Sequence, residues 1–371
     1  MTLEQFRKHF ASDSGVIHFN NAGQAPIPDV NLEAAVQWLQ RFHREGASCS
    51  MEGWGQVEKA RQRLAAFLGA HSEELALVQT TASAISQAAL GIPLQPGDEI
   101  LTWDQEYPSN FYPWRVAAER SGAHLIQVKS DGWLTPVSRL LDRVTSKTKV
   151  IAISWVQYQT GSVTDLKALS TSLKNRGIWL VADVIQGAGV RPFHFHDSGF
   201  DLICGGAHKW LCSGYGVGFM AIRKEKIDQL RLLEFGAMTY GNPDTPKSFT
   251  IEPKPTAARF EPGSKSMIEV IAMTKTLDLF EAAGMEAISA EASRLGRRLR
   301  QGLEQIGFEH ACAEGPIVNF SCRDDKAVAE LLKSAKISHA LRGPGVRISL
   351  HAFNSETEVD QTLDLLKAHR P

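Results

Sequence analysis

The stretch LVADVIQGAGV, residues 180–190, decides the fold and indicates a site. It opens as an apolar run of the kind that forms a buried strand, and Asp183 stands where that run ends. Gln186 and two glycines follow. Because burying an unpaired carboxylate costs roughly several kcal/mol, we expect a cation beside Asp183.

Short strand-like runs rich in Val, Ile and Leu alternate with helical stretches along much of the chain, as in GDEILTW, TKVIAISWV and FDLICGG. This alternation predicts an α/β fold with a mostly parallel sheet covered on both faces. Residues 241–264 are rich in proline and resemble a crossing segment between domains.

Two long helices are expected after this segment, at 264–283 and 285–305, followed by a smaller α+β region. The sequence therefore predicts a large domain of residues 16–250 and a small domain of residues 1–15 and 251–371.

Composition excludes several classes of function. The 371 residues, 43% of them hydrophobic, suffice for a large core, and the net charge of −1 comes without a basic stripe. Nucleic-acid binding therefore gains no support. No apolar run approaches the roughly 20 residues of a membrane span, and residues 1–15 are too charged for a signal peptide.

The five cysteines are scattered, odd in number and contain no Cys-x-x-Cys pair. This usage indicates a reduced, cytoplasmic protein without structural disulfides or a thiolate zinc site.

In open α/β sheets, ligands bind beyond the carboxyl ends of the strands. Asp183 lies at such an end, and the next strand, FDLICGG, runs into His208 and Lys209. A lysine among small residues at a strand end is well placed to reach a cofactor. An isolated His-Lys-Trp sequence is nevertheless more often an exposed loop, so the motif needs its surroundings.

Those surroundings supply a resemblance. VADVIQGAG and FDLICGGAHKWLCSGYGVGFM resemble the class V aminotransferases, fold type I pyridoxal-phosphate enzymes that include cysteine desulfurases, isopenicillin-N-epimerase-like proteins and kynureninases. The specific signal is Asp-x-x-Gln followed by His-Lys 25 and 26 residues after the aspartate. The likeness extends over most of the chain, through HFNNAGQAPIP, TTASAISQAA, EYPSNFYPW, FEPGS and VRISLHAFNSETEVD.

The resemblance implies pyridoxal 5'-phosphate as the cofactor. Asp183 would then meet the pyridinium nitrogen and keep it protonated, so that the ring serves as an electron sink. Gln186 would face the phenolic oxygen, and Lys209 would form the Schiff base and then shuttle protons.

The cofactor's phosphate needs N–H donors and hydroxyls. Thr81, Ala82 and Ser83 stand where a helix is expected to begin, and free N–H groups there favour a dianion. By resemblance, Thr81 and Ala82 fall on the phosphate-binding turn, with His208 as a second phosphate contact. Ser264 falls where relatives offer a hydroxyl to the phosphate of the neighbouring subunit, which implies a homodimer with shared active sites.

Further site residues follow from the same resemblance. Tyr107 falls on the position that stacks on the cofactor ring, and Trp155 is a weaker candidate contact. Arg347 falls on the arginine that binds the substrate carboxylate, for which a planar guanidinium suits two parallel bonds. Arg342 is a second cation in the same loop, and Asn21 is a candidate substrate contact.

Departures from the family narrow the chemistry. The loop KISHALRGPG has no cysteine where desulfurases carry their nucleophile, and Cys322 lies too far back. Gly206 replaces the desulfurase serine, and His208 replaces the kynureninase tyrosine, although VQYQTG still resembles a kynureninase segment. His194 and His196 have strand-like metal-ligand spacing, but no third ligand is in view, so no metal is expected.

The sequence thus favours a pyridoxal-phosphate enzyme acting at Cα of an amino acid through Lys209, with an amino acid and a keto acid as substrates. Transamination ranks first, ahead of lyase chemistry (β-elimination or kynureninase-like) and epimerisation. A non-catalytic cofactor-binding protein is an alternative, against which the intact Lys209, Asp183 and Arg347 argue. A dinucleotide enzyme is less favoured, because GYGVGF follows the lysine rather than a strand.

Overall fold

The computed structural model describes residues 1–11, 14–240, 252–343 and 345–367. Residues 241–251, which begin the proline-rich segment predicted to join two domains, lie outside the described residues. Among the described helices, none is both long enough and apolar enough to cross a membrane.

A seven-stranded sheet dominates the described part of the chain. Its spatial order is β1-β7-β6-β5-β4-β2-β3. β7 runs antiparallel to both of its neighbours, while the other pairs are parallel. The strands are β1 Leu75–Val78, β2 Glu99–Trp103, β3 His124–Val128, β4 Thr148–Ser154, β5 Trp179–Asp183, β6 Leu202–Gly206 and β7 Gly218–Ile222. The predicted α/β fold with a mostly parallel sheet is confirmed.

Helices surround this sheet and a second one. They are α1 Leu3–Lys8, α2 Asp29–Glu45, α3 Ser50–Phe67, α4 Thr81–Gly91, α5 Pro108–Ser121, α6 Val137–Leu141, α7 Leu166–Ser172, α8 Phe195–Ser198, α9 Met267–Ala283, α10 Met285–Gln305, α11 Asp325–Ser334 and α12 Glu356–Lys367.

Alternate residues of the central strands feed two separate cores. On one face Ile151 and Ile203 pack with residues of α3, α7 and α9. On the other face Val150 and Leu202 pack with residues of α4 and α5. Because side chains alternate across a strand, a strand buried on both faces has to be apolar throughout, which is why these runs were readable in the sequence.

The second sheet is small and antiparallel. It contains β8 Glu309–His310, β9 Ile317–Ser321, β10 Ala340–Arg342 and β11 Gly345–Ser349, in the order β10-β11-β9-β8. Residues of α10, α11 and α12 pack with it in one core, as expected for an α+β region. Backbone bridges from Ile17 to Ile337 and from Asn20 to Ser349 add the N-terminal segment to this sheet. The domain limits at residues 15 and 250 stay a prediction.

Some elements differ from expectation. α10 has the predicted bounds, whereas α9 begins at Met267 rather than at residue 264. The sequence predicts no strand at β7, because its glycine-rich approach resembles a loop. β7 pairs with β1 and β6 and so joins the edge strand β1 to the rest of the sheet. α5 begins at Pro108, since proline is tolerated in the first helical turn, and continues through Pro113.

Candidate active site

A cavity of about 340 Å³ opens at the carboxyl edge of the large sheet. Several of its residues end or follow a parallel strand, as expected for a ligand site in an open α/β fold. Others come from the N-terminal segment and from the small sheet. The cavity is lined by Ala22, Gly23, Thr80, Thr81, Ala82, Tyr107, Ser109, Ser154, Tyr158, Asp183, Ile185, Gln186, His208, Lys209, Tyr215, Arg342 and Arg347.

Asp183 is the last residue of β5 and is buried. Its Oδ1 accepts a hydrogen bond of 2.9 Å from the backbone N–H of Ile185. Burial raises the pKa of Asp183 to about 6, against that hydrogen bond and the positive charge of Lys209, both of which lower it. The cation expected beside this carboxylate is therefore Lys209, three residues beyond the end of the neighbouring strand β6.

Lys209 has a half-buried side chain whose Nζ lies 5.5 Å from the centroid of the Tyr107 ring. Burial lowers the pKa of Lys209 to about 8; Asp183 opposes this shift, while Arg347 and Arg342 add to it. A substantial fraction of the amine is therefore neutral in mildly alkaline solution, the form that is a nucleophile or a base.

Gln186 is held from two sides. Its carbonyl Oε1 accepts a 2.8 Å bond from the Trp210 indole, and its Nε2 donates a 3.0 Å bond to the Ala22 carbonyl. The Trp210 bond fixes which end of the amide is the donor. Since an amide NH₂ has two N–H groups, one remains for a ligand in the cavity.

The N-terminus of α4 lies at the cavity, as predicted. Thr80, which the sequence analysis did not name, caps the helix by accepting a 3.0 Å bond from the Ser83 N–H. Thr81 and Ala82 line the cavity, and the buried Thr81 hydroxyl has no hydrogen-bond partner among the described residues. Ser83 instead lines a neighbouring cleft, together with Ser264. The structure thus separates these two serines from the cavity of a single chain.

His208 lines the cavity and stacks on Tyr215 with a centroid distance of 4.9 Å. Burial and the neighbouring positive charge of Lys209 lower the pKa of His208 to about 4. The ring is therefore neutral at physiological pH. Tyr215 was missed by the sequence analysis, although it lies in the quoted GYGVGF; its hydroxyl donates to the Gln24 side chain.

Arg347 reaches the cavity from β11 of the small sheet and is almost fully buried. It donates 2.8 Å to the Tyr158 carbonyl and 3.0 Å to Oδ1 of Asn20, and its Nε has no partner among the described residues. Burial, with a further contribution from Arg342, lowers its pKa to about 10, so it is a cation at neutral pH.

The two adjacent asparagines of FNNAG have different surroundings. Asn20 bonds to Arg347. Asn21, the predicted substrate contact, donates instead to the backbone carbonyls of His18 and Ser349 and does not line the cavity. The sequence alone does not distinguish the two, because both follow the same short apolar run.

Of the two aromatic residues predicted to contact the cofactor, only Tyr107 lines the cavity. Tyr107 lines the cavity and meets Tyr158 edge-on, with a centroid distance of 5.0 Å. Trp155 lies outside the cavity; its ring packs against Phe193, 4.9 Å away, while its backbone N–H bonds to the Asp183 carbonyl. Trp155 therefore supports the end of β5 from behind.

Glu106 was also missed, although it lies within the quoted EYPSNFYPW. Its carboxylate accepts bonds from the Ser154 backbone and hydroxyl, from Asn110 and from Gln157, all of them buried. Burial raises the pKa of Glu106 to about 7 despite these bonds. This network joins the residues after β2 to the end of β4, beneath Tyr107.

The spaced histidines His194 and His196 serve separate interactions. His196 Nε2 lies 2.7 Å from Glu74, and its Nδ1 accepts from Arg223. His194 pairs with Asp197 at 3.3 Å. His71, Glu74 and His196 lie close together. Arg223, however, already donates a hydrogen bond to the Nδ1 atom of His196.

The residues present fit pyridoxal 5'-phosphate. The unpaired Thr81 hydroxyl and the free N–H groups at the start of α4 suit a phosphate dianion. Asp183 suits a protonated ring nitrogen, and the Lys209 amine lies near enough to Asp183 for each to shift the other's pKa. Arg347, with an unpartnered Nε, suits a carboxylate.

Residues 17–362 match the family model described as aminotransferase class-V. An uncharacterized aminotransferase of Bacillus subtilis strain 168, YcbU, is 26% identical, with 98% of this chain and 97% of that protein covered. The apo cysteine desulfurase of Thermococcus onnurineus NA1 superposes with a TM-score of 0.91 at 22% identity, covering 100% and 98% of the two chains.

The cystine C-S lyase C-DES, solved with glycine covalently linked to its PLP cofactor, gives a TM-score of 0.90 at 20% identity and covers 97% and 98% of the chains. These structural similarities show the fold, and the family match supports the expected cofactor. The chain belongs to the class V aminotransferase family, and its cofactor is pyridoxal phosphate.

Proposed function

We propose that this protein is a pyridoxal-phosphate enzyme that acts at Cα of an amino acid, with transfer of the amino group to a keto acid as its reaction. The observation that carries this proposal is the placement of Lys209. Its amine, with a pKa lowered to about 8, lies among the buried carboxylate of Asp183 and the cations Arg347 and Arg342. These are the groups that a cofactor ring and a substrate carboxylate need.

When bound, the cofactor supplies an electron sink for negative charge that develops at the substrate Cα. Asp183 would hold the proton on the ring nitrogen, and Gln186 would offer its second amide N–H to the phenolic oxygen. Thr81 and Ala82 would bind the phosphate. Tyr107 would pack against the ring face, a contact worth roughly 0.5–1.5 kcal/mol beyond burial.

Lys209 would hold the cofactor covalently, and its amine would move the proton at the substrate Cα. Arg347 binds the substrate carboxylate with its planar guanidinium. Asn20 and the Tyr158 carbonyl orient that guanidinium through their hydrogen bonds. The neutral His208 covers the phosphate end without competing for protons with Lys209.

A reaction that carries sulfur on an enzyme cysteine has no thiol available here. No cysteine lines the cavity. Cys204 is buried on β6, with its pKa raised well above the usual value by burial and by Asp183. The five cysteines are unpaired, which fits the reducing interior of a cytoplasmic protein.

Elimination of a β-substituent is the second candidate. Solved neighbours are named as a cysteine desulfurase and a cystine C-S lyase, and both names describe cleavage at Cβ rather than amino transfer. Kynureninase-like and epimerase reactions use the same Lys209 proton transfer at Cα, so the same product assay distinguishes them.

A panel of amino acids, each offered with a keto acid acceptor, tests the reaction type. We expect one or more amino acids to give their keto acid in step with amino transfer to the acceptor, without release of ammonia. Ammonia or sulfide without an acceptor would support elimination, and racemised substrate would support epimerisation. Lys209→Ala is the control, since turnover undiminished in that variant would contradict the whole assignment.

The pH dependence of cofactor capture tests the lysine. Because the neutral amine reacts, we expect the rate at which apo-protein binds pyridoxal phosphate covalently to rise with pH, with a midpoint near 8. Asp183→Asn removes the charge that raises the pKa of Lys209, so the midpoint should move to lower pH. The rate of covalent binding is measured by the growth of the yellow absorbance of the bound cofactor. An unchanged or higher midpoint would show that Asp183 does not act on Lys209.

Substrate affinity tests the carboxylate contact. Arg347→Lys keeps the charge but loses the planar fork, which should raise KM for an α-amino acid about 10- to 150-fold, with the cofactor absorbance unchanged. Asn20→Ala should raise KM less, because it only loosens the guanidinium. Asn21→Ala is the matched control: it should lower stability and leave KM unchanged. Equal effects of the two asparagine variants on KM would contradict these placements.

A homodimer with shared sites is part of the proposal. The exposed face of α2 carries an apolar stripe at helical spacing that includes Leu39, 47% exposed, and Phe42, 53% exposed. Leu32 and Val36 continue the stripe. Such a stripe is expected at an interface. The cleft that holds Ser264 adjoins the start of α4, so a second subunit there would complete the phosphate site.

The double substitution Leu39→Asp and Phe42→Asp tests this interface. Charges on the stripe should convert the protein to a monomer that releases its cofactor more readily, as measured by sedimentation velocity and by retained absorbance after dialysis. Gln40→Asp, on the same helix but off the stripe, should change neither. A native protein that is fully active as a monomer would refute the shared sites.

A further inference from the structure

A second cleft, of about 650 Å³, lies away from the cavity described above, and we call it the arginine cleft. Arg191, in the turn after β5, lines one side, and Arg297 and Arg300 of α10 line the other. Glu314 is the only carboxylate among its lining residues. Three cations against one anion leave a net positive charge in a concave space.

The two α10 arginines that line this cleft differ from their neighbours on the same helix. Arg294 bonds to Glu291 and Glu356, and Arg298 bonds to Asp360 at 2.7 Å. Arg297 and Arg300, which line the cleft, form no ion pair with any described residue. The helix α10 thus neutralises one set of arginines and leaves the other set open to the cleft.

Backbone contacts position two of the three guanidinium groups. Arg191 donates 3.1 Å to the Glu314 carbonyl, and Arg300 donates 2.9 Å to the Gly315 carbonyl. Each guanidinium has five N–H donors, so most remain available. Gly315 has φ +116°, and a Cβ there would come within 2.4 Å of the Arg191 guanidinium. The glycine therefore leaves the space that Arg191 occupies.

Burial makes these charges costly without a partner. It lowers the pKa of both Arg191 and Arg300, and the charge of Glu314 opposes both shifts. For Arg300, the positive charges of Arg297 and Arg191 add to the lowering, while Glu304 opposes it. Guanidinium groups match the planar oxygens of carboxylates and phosphates with paired bonds. An anion with two or more charges would neutralise the cleft, and the hydroxyl of Ser293 lines the same space.

We propose that the arginine cleft binds a small polyanion, a phosphate- or carboxylate-bearing metabolite, through Arg191, Arg297 and Arg300. The site joins α10 and residues 314–315 to Arg191, which follows the turn that contains Gln186, and Gln186 lines the active-site cavity. The bound anion would fix that turn against α10. This site is independent of the reaction proposed above.

Holoenzyme is the protein to test, because bound cofactor blocks the active-site phosphate position. Inorganic pyrophosphate and citrate, titrated calorimetrically, represent the two oxyanion chemistries. We expect at least one of them to bind once per chain, and which of them binds identifies phosphate or carboxylate recognition. Arg297→Gln should weaken binding about 10-fold or more. That variant should fold normally, since Arg297 is exposed and has no ion pair among the described residues.

A thiol gives a second readout that does not depend on activity. Cys312 lines the arginine cleft and is exposed, whereas Cys322 is half-buried and the other three cysteines are buried. In a Cys322→Ser background, the bound anion should slow alkylation of Cys312, and Arg297→Gln should remove this protection. Arg120→Gln, an exposed arginine of α5, should leave binding and protection intact.

The proposal is wrong if neither anion binds, if Arg297→Gln and native protein bind equally, or if binding leaves the alkylation of Cys312 unchanged. Weakening by Arg120→Gln to the same degree as by Arg297→Gln would also refute it, because attraction would then be to overall charge. A failure of the transamination assay has no bearing on these outcomes.

Discussion

The buried carboxylate of Asp183, at the end of β5, and the half-buried amine of Lys209, three residues beyond the end of β6, are the constraint on which the rest of the site depends. Burial raises the pKa of one to about 6 and lowers that of the other to about 8. Between these values both are ionised and each offsets the other's cost. The parallel sheet brings them together because neighbouring strands end at the same edge.

The small sheet contributes Arg347, the cation that we propose binds the substrate carboxylate. Arg347 lies on β11, and its neighbour Asn20 bridges to Ser349 on the same strand. The N-terminal segment thus adds to the small sheet. Its Ala22 carbonyl also accepts a hydrogen bond from Gln186, which follows β5 of the large sheet. A shift of one sheet against the other would move Arg347 relative to Lys209, so these contacts set the distance between the two groups.

Strands buried on both faces are apolar throughout, so the sequence predicts the parallel sheet and makes Asp183 stand out at a strand end. The roles of Gln186 and Lys209 follow from the resemblance to the class V aminotransferases. The sequence could not distinguish Asn20 from Asn21 or place Trp155 behind the sheet, since those depend on side-chain direction at strand ends. It predicts no element at residues 29–67, where α2 and α3 lie, or at residues 218–222, where β7 lies. Contacts distant in sequence decide these features.

Trp210, directly after Lys209, fixes the position of neighbouring site residues. Its indole fixes the Gln186 amide, and a Cβ on Gly189 would come within 2.4 Å of its carbonyl oxygen. The ring of His351, two residues after β11, lies 3.3 Å from that carbonyl through Nε2 and accepts from the Ala352 N–H through Nδ1. Burial lowers the pKa of His351 to about 4. A neutral His351 meets both demands, because it carries one donor and one acceptor, whereas a protonated ring would place a second donor against the Ala352 N–H. The chain therefore keeps an uncharged imidazole between its two sheets and reserves positive charge for the cavity that Lys209 and Arg347 share.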